Sequence, residues 1–66
     1  MQNYIAQFRK EAGLSQQELA DAINVSRKTI STVETARFTP SVIIALKISQ
    51  FFGTSVETLF MLDEHD

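Results

Sequence analysis

Ser15-Gln-Gln-Glu-Leu-Ala-Asp-Ala-Ile-Asn-Val-Ser-Arg-Lys-Thr-Ile-Ser-Thr-Val-Glu34 holds two helix starts and one tight turn, and its reading decides the fold. Ser15 and Glu18 have the spacing of a capping box, in which the hydroxyl accepts from the Glu18 N–H while the carboxylate reaches back. Leu19, Ala20 and Ile23 then recur at helical spacing as one apolar stripe. Asn24 stands where that helix should stop, because asparagine tolerates the left-handed conformation a C-terminal cap needs. Ser26 is placed to cap a second helix with Ile30 and Val33 turned inward. Two short helices joined by such a turn are a helix-turn-helix, and the second of them has the dimensions to enter a major groove.

The outward side of that second helix carries the chemistry. At about 100° per residue, Ile30 and Val33 share one side with Thr29 at its edge, while Arg27, Lys28, Ser31, Thr32 and Thr35 spread over the other. Each of the five offers a donor or acceptor to a base edge or a phosphate. Glu34 falls beside the buried side instead. By pattern alone the same residues also describe an ordinary solvated helix face.

The rest of the composition narrows the choice. A chain of 66 residues is one domain, and its apolar content of 44% is enough for a core that is marginal by itself. The absence of cysteine excludes disulfides and thiolate metal sites, and fits a cytoplasmic protein. No stretch reads as a signal peptide or reaches the length of a membrane span. The net charge of −2 argues against a sequence-blind polyanion binder. The charges are polarised, however: residues 1–40 carry five bases and four acids, whereas residues 41–66 set Lys47 against Glu57, Asp63, Glu64 and Asp66. An acidic end directed away from DNA is compatible with a basic face directed toward it.

Outside the central stretch, Asn3 is placed to cap a first helix over about Tyr4–Ala12, with Ile5 and Phe8 inward and Gly13 as its stop. Leu14 and Leu19 have the spacing of a hydrophobic staple. Pro40 opens a fourth helix at about Pro40 or Ser41, running to Phe52. On its wheel Val42, Ala45, Leu46, Ser49 and Phe52 form the expected core face. Ile44, Ile48 and Phe51 form a second ridge nearly opposite, and Ile43 stands where a polar residue is expected. A helix apolar almost all round must be covered on both sides. A second subunit would supply part of that cover, together with a contact at Phe60, Met61 and Leu62; the alternative is a fifth helix that covers the whole ridge. Gly53 ends the fourth helix, and Thr54 with Glu57 has capping-box spacing for a fifth. Val56, Leu59, Phe60 and Leu62 have the spacing of that helix's apolar side, with an extended Phe60-Met-Leu62 at the subunit contact as the alternative, and residues 63–66 read as a frayed tail.

Catalytic constellations are not recognisable. Ser26 and Ser31 have no histidine to serve as base, and His65 lies in the terminal tail among acids with nothing to order a metal. Gly13 and Gly53 are accounted for as helix stops rather than as a phosphate-cradling loop. The expectation is therefore no enzyme, no metal, no cofactor and no small-molecule ligand domain.

Together the residues Arg9, Gly13-Leu-Ser-Gln-Gln-Glu-Leu-Ala20, Val25-Ser-Arg-Lys-Thr-Ile-Ser31, Glu34, Pro40-Ser41, Ala45-Leu-Lys-Ile48 and Leu59-Phe60 resemble the Cro and phage-repressor type helix-turn-helix regulators, the XRE family. The likeness runs from about Ile5 to Phe60 and is greatest toward small stand-alone bacterial repressors. It implies an all-α, five-helix lambda-repressor-like domain, with a helix-turn-helix over 15–34 and dimerisation through about 41–62. By the same resemblance Arg27, Lys28, Ser31 and Thr32 read bases, and Gln16, Ser26, Thr35, Arg37 and Thr39 hold the DNA backbone. Arg9 and Glu34 match a buried ion pair that orients the reading helix. The implied dimer contact comprises Ile43, Ile44, Ile48, Phe51, Phe60, Met61 and Leu62.

The family commonly has glycine where Ala36 stands. A left-handed residue there costs alanine on the order of 1 kcal/mol, which argues for a different loop in this chain. The resulting expectation is a homodimeric repressor on an inverted-repeat operator. A restriction-modification controller or antitoxin with the same DNA chemistry is the near alternative. A protein-interaction module that keeps the fold without binding DNA is the distant one.

Overall fold

The computed structural model describes residues 1–36 and 39–66. The order is β1 (Gln2–Asn3), α1 (Ile5–Glu11), α2 (Gln16–Ala22), α3 (Arg27–Glu34), α4 (Val42–Phe52), α5 (Val56–Leu59) and β2 (Phe60–Met61). The described residues therefore form five helices and two short strands. β1 and β2 pair antiparallel, Gln2 opposite Met61 and Asn3 opposite Phe60, and bring the two ends of the chain together. A further bond from the Tyr4 N–H to the Leu59 carbonyl, 2.9 Å, extends the pairing.

Local chemistry sets nearly every helix boundary. Ser15 and Glu18 form the full reciprocal capping box at 2.9 and 3.0 Å. Ser26, Ser41 and Ser55 each accept a hydrogen bond from the N–H three residues on. Asn24 has φ +59, and the Val25 N–H reaches back to the Ala20 carbonyl at 2.9 Å, the signature of a Schellman turn. Gly13, at φ +73, closes α1 by the same bond pattern, Leu14 N–H to Arg9 carbonyl, at 3.0 Å.

Ile5, Leu19, Ile30, Ile48 and Leu59 are the largest fully buried side chains, one from each helix. Around them Phe8, Val25, Ile44, Phe52 and Val56 are half-buried against the same cluster. Phe8 and Phe52 pack with ring centroids 5.6 Å apart, tying α1 to α4.

Several expectations need correction. The fourth helix turns its inward arc toward Ile44, Ala45, Ile48 and Phe52, leaving Val42 74% and Ile43 68% exposed. At 100° per residue this arc lies between the two ridges read from the sequence. Val42 and Leu46 therefore leave the core, and Ile48, at 0% exposed, cannot belong to a subunit contact. Pro40 precedes the cap of α4 instead of opening it, and Ser55 rather than Thr54 caps α5. Asn3 sits in β1, yet its Oδ1 still accepts from the Ile5 N–H at 3.1 Å while its Nδ2 donates to the Val33 carbonyl at 2.8 Å. The extended segment at Phe60–Met61 pairs with the chain's own start. Residues 63–66 are tied down as well, since the Met1 ammonium meets Asp63 at 3.2 Å and Asp66 at 3.1 Å.

Candidate nucleic-acid interface

The site is α3 and what holds it. Ile30 and Val33 anchor its inner side in the core, and the four residues Ile23–Ser26 join it to α2. Arg27 and Lys28 are exposed at its first turn, whereas Ser31 and Thr32 are half-buried farther along the same side. The four side chains named as base readers thus share one helix and reach the surface to different degrees.

A second set of contacts fixes the tilt of α3. The Arg9 Nε meets Glu34 Oε2 at 2.7 Å, and Arg9 Nη2 reaches Oε1 at 3.3 Å. The two side chains are only 12% and 6% exposed, so the carboxylate is nearly removed from water. Arg9 Nη1 also donates to the Leu14 carbonyl at 2.7 Å, linking α1, the turn before α2, and the end of α3. A pair this dry contributes geometry more than net stability, because desolvation offsets much of the attraction.

Gln16 joins the same carboxylate. Its Nε2 donates to Glu34 Oε1 at 3.0 Å, and its Oε1 accepts from Arg27 Nη1 at 3.4 Å. Sequence reading placed Gln16 on a phosphate and missed its role as a bridge, which arises only when the first residues of α2 and α3 are folded side by side.

The remaining backbone-contact candidates differ in what they have free. Ser26 Oγ caps α3 and lies 2.9 Å from Thr29 Oγ1. Thr35 donates its hydroxyl back to the Ser31 and Thr32 carbonyls at 3.0 and 3.1 Å, so its proton is already engaged in its own helix. Thr39 is exposed, and Arg37 lies outside the described residues. Lys28 borders a groove of about 300 Å³ whose walls include Thr29, Thr32, Thr39 and Ser41.

Ala36 has φ +57, directly after α3. The loop thus makes the left-handed turn that a glycine would make, contrary to the argument for a different path, and alanine bears the steric cost. The Ala36 N–H bonds the Val33 carbonyl at 3.1 Å, so the turn also closes the helix end.

No group of three or more potential metal ligands is present among the described residues. Nor is any described helix long and apolar enough to cross a membrane.

A reading helix anchored from behind by an ion pair and carrying cationic and hydroxyl groups in front defines the class as a helix-turn-helix DNA-binding domain. Residues 5–59 match the family described as Helix-turn-helix (HTH_3). A transcriptional regulator of that type from Methanothermobacter thermautotrophicus is 43% identical over 97% of this chain and 94% of its own. The regulator YgzD of Bacillus subtilis is 33% identical over the full length of both chains. Among solved structures, the N-terminal DNA-binding domain of SinR from Bacillus subtilis superposes with a TM-score of 0.77 at 35% identity, covering 94% of this chain and 90% of that one. The restriction-modification controller protein C.AhdI from Aeromonas hydrophila superposes with a TM-score of 0.77 at 27% identity, covering 85% of each. The chain belongs to the helix-turn-helix transcriptional regulators of the XRE type.

Proposed function

We propose that the protein is a homodimeric, sequence-specific repressor that acts in the cytoplasm on an inverted-repeat operator. The observation that carries the DNA reading is α3 itself: Arg27 and Lys28 stand exposed at its first turn while Ile30 and Val33 hold its other side in the core. Arg27 and Lys28 donate to guanine O6 and N7, Ser31 and Thr32 read adjacent edges, and Gln16, Ser26, Arg37 and Thr39 hold phosphates, with Thr35 joining them only by turning its hydroxyl away from its own helix. Two copies related by a two-fold axis present their α3 helices to successive major grooves about 34 Å apart. Support for a second copy comes from Ile43, Phe51, Met61 and Leu62, which are exposed apolar residues. The other two residues of the proposed contact, Ile44 and Phe60, are half-buried and buried in the single chain.

The test is binding to the DNA upstream of the protein's own gene, for wild type and for Arg27→Ala/Lys28→Ala, at two salt concentrations. Tight binding by the wild type that weakens steeply with salt, and its loss in the variant, is the expected result. A well-folded dimer that selects nothing from this DNA or from a random-sequence pool overturns it. The likeness to C.AhdI favours one second reading, a restriction-modification controller, which a neighbouring methyltransferase or endonuclease gene would support.

A further inference from the structure

The last turn of α3 is held by two attachments of different kinds. Glu34 is gripped through its side chain by Arg9. Val33 is gripped through its main chain, because the Asn3 Nδ2 donates to its carbonyl at 2.8 Å. That carbonyl is among the last four of the helix, which find no partner inside it. It also accepts from the Ala36 N–H at 3.1 Å, and its two lone pairs serve both donors. Chemistry allows the Asn3 amide only one orientation. Its Oδ1 accepts from the Ile5 N–H at 3.1 Å, and reversal would set donor against donor there and acceptor against acceptor at Val33. The backbone of Asn3 is fixed in turn, opposite Phe60 in the β1–β2 pair and one residue before the Tyr4 N–H that bonds the Leu59 carbonyl. One half-buried side chain thus joins the start of α1, the end of α3 and the strands that bring the chain ends together.

We propose that Asn3 is a positioning residue for the reading helix, locking the end of α3 to the strand pair so that the two move as one body. The proposal rests on the DNA reading above and deepens it. A rod tethered once swings about its tether, whereas tethers from α1 and β1 on adjacent residues narrow that freedom. α3 has 8 residues, roughly 12 Å, so a swing of about 5° at its last turn moves its first turn by about 1 Å. A displacement of that size spoils the alignment of a guanidinium with guanine O6 and N7. Because β2 also carries Met61 of the proposed subunit contact, the same lock puts that contact and the reading helix on one frame.

The experiment uses Asn3→Asp, which keeps the size of the side chain and the acceptor for the Ile5 N–H but, as a carboxylate, has no hydrogen to offer the Val33 carbonyl. Asn3→Ser, whose hydroxyl still caps Ile5 and ends short of Val33, repeats the test without a charge. Ser55→Ala, which removes a cap acting only within α5, is the control for lost stability. In the free proteins, residual dipolar couplings of α3 relative to α2 and α4 should change in both Asn3 variants and not in Ser55→Ala. Unchanged α3 couplings in the Asn3 variants overturn the proposal whatever the DNA does. On DNA, each protein is compared, at a temperature where it is fully folded, on the selected site and on a site altered at one base step read by α3. The Asn3 variants should lose about twofold to tenfold of discrimination, and Ser55→Ala none. Discrimination kept in the Asn3 variants, or lost equally in Ser55→Ala, makes Asn3 a stabilising contact only and overturns the positioning role. Absence of any sequence preference in the wild type overturns the DNA reading itself, and is seen separately from the dipolar couplings.

Discussion

The two halves of the chain finish their surfaces in opposite ways. In residues 1–36, polar side chains at or near the surface are repeatedly tied to their neighbours: exposed Gln7 to Glu11 and Gln17 to Asp21, and half-buried Gln16 to both Glu34 and Arg27. The outer side of α3 is polar, and its inner side is clamped to α1 by a dry ion pair. In residues 39–66 the surface is apolar over much of α4 and β2, with Val42, Ile43, Leu46, Met61 and Leu62 all exposed. Water tolerates the first surface and penalises the second. The first half is complete as a rigid presenter of donors. The second leaves large apolar side chains in water, the surface that the proposed second copy would cover, and a domain this small has little spare core to offset that cost.

Breaking the second half should have the larger effect. Ile43→Asp introduces a charge at a position that is exposed in the single chain, so the fold of one copy should change by no more than about 0.5 kcal/mol. In the proposed dimer the same change occurs twice, forfeiting about 2 kcal/mol of burial at each copy and weakening association by roughly a thousandfold. Sedimentation across a concentration series would show it as a shift to monomer. Unchanged association with an unchanged melting temperature would move the subunit contact off α4.

Breaking the first half acts on folding instead. Glu34→Ala leaves Arg9 almost dry and without its carboxylate, and should cost about 3 kcal/mol in denaturant unfolding. The sharper variant is the paired change Arg9→Met/Glu34→Leu, which removes both charges and should recover most of that loss. Such a protein separates stability from geometry. If the pair serves chiefly to orient α3, the double variant is nearly as stable as wild type yet binds DNA with less discrimination. Next in size is Arg27→Ala, with an expected loss of about 1–3 kcal/mol at a selected site and much less on unrelated DNA. Equal losses on both would make Arg27 a phosphate contact.

The same contrast explains what could be read in advance. Ser15, Ser26, Asn24, Gly13 and Gly53 act within a turn of themselves, so their chemistry is written in adjacent residues and the helix boundaries followed from it. α4 was harder. With apolar residues on every side it has no single hydrophobic direction, and only the positions of the other helices decide that Ile48 is inside and Val42 outside. β1 and β2 are two residues each and show no periodicity to detect; their pairing is a contact between chain ends. Gln16 as a bridge and Asn3 as a strap to the Val33 carbonyl are likewise products of folding, invisible to spacing. The donor face of α3 was legible because it is simply the complement of Ile30 and Val33.

Ala36 tests whether the boundary between the halves matters. At φ +57 its Cβ crowds the following carbonyl, a strain that glycine does not feel. Part of that relief is offset because glycine gains freedom in the unfolded chain. Ala36→Gly should therefore stabilise the protein by about 0.5–1 kcal/mol, raising its melting temperature by a few degrees. A lower melting temperature would mean that the left-handed turn is not retained in solution.

The smallest expected effect lies where the two halves meet, at Met1, Asp63 and Asp66. Hydrogen bonds from the ammonium to Asp66 and then Asp63 raise the amine above its ordinary value of 8.0. Asp66 is held below 3.8 first by the Asp63 backbone N–H and then by the ammonium. A raised amine contributes fully below its unfolded value, and the contribution disappears as the pH climbs through the folded one. A lowered carboxylate contributes above its unfolded value and loses that contribution as the pH falls through the folded one. Both operate together between about pH 4 and pH 8. Because the cluster faces solvent, salt should screen it, and Asp66→Asn should flatten the pH dependence at both edges of that window. Melting curves of wild type and Asp66→Asn across pH at low and high salt check this. Parallel curves would show that the strand pair alone, without the charges, holds the ends of the chain together.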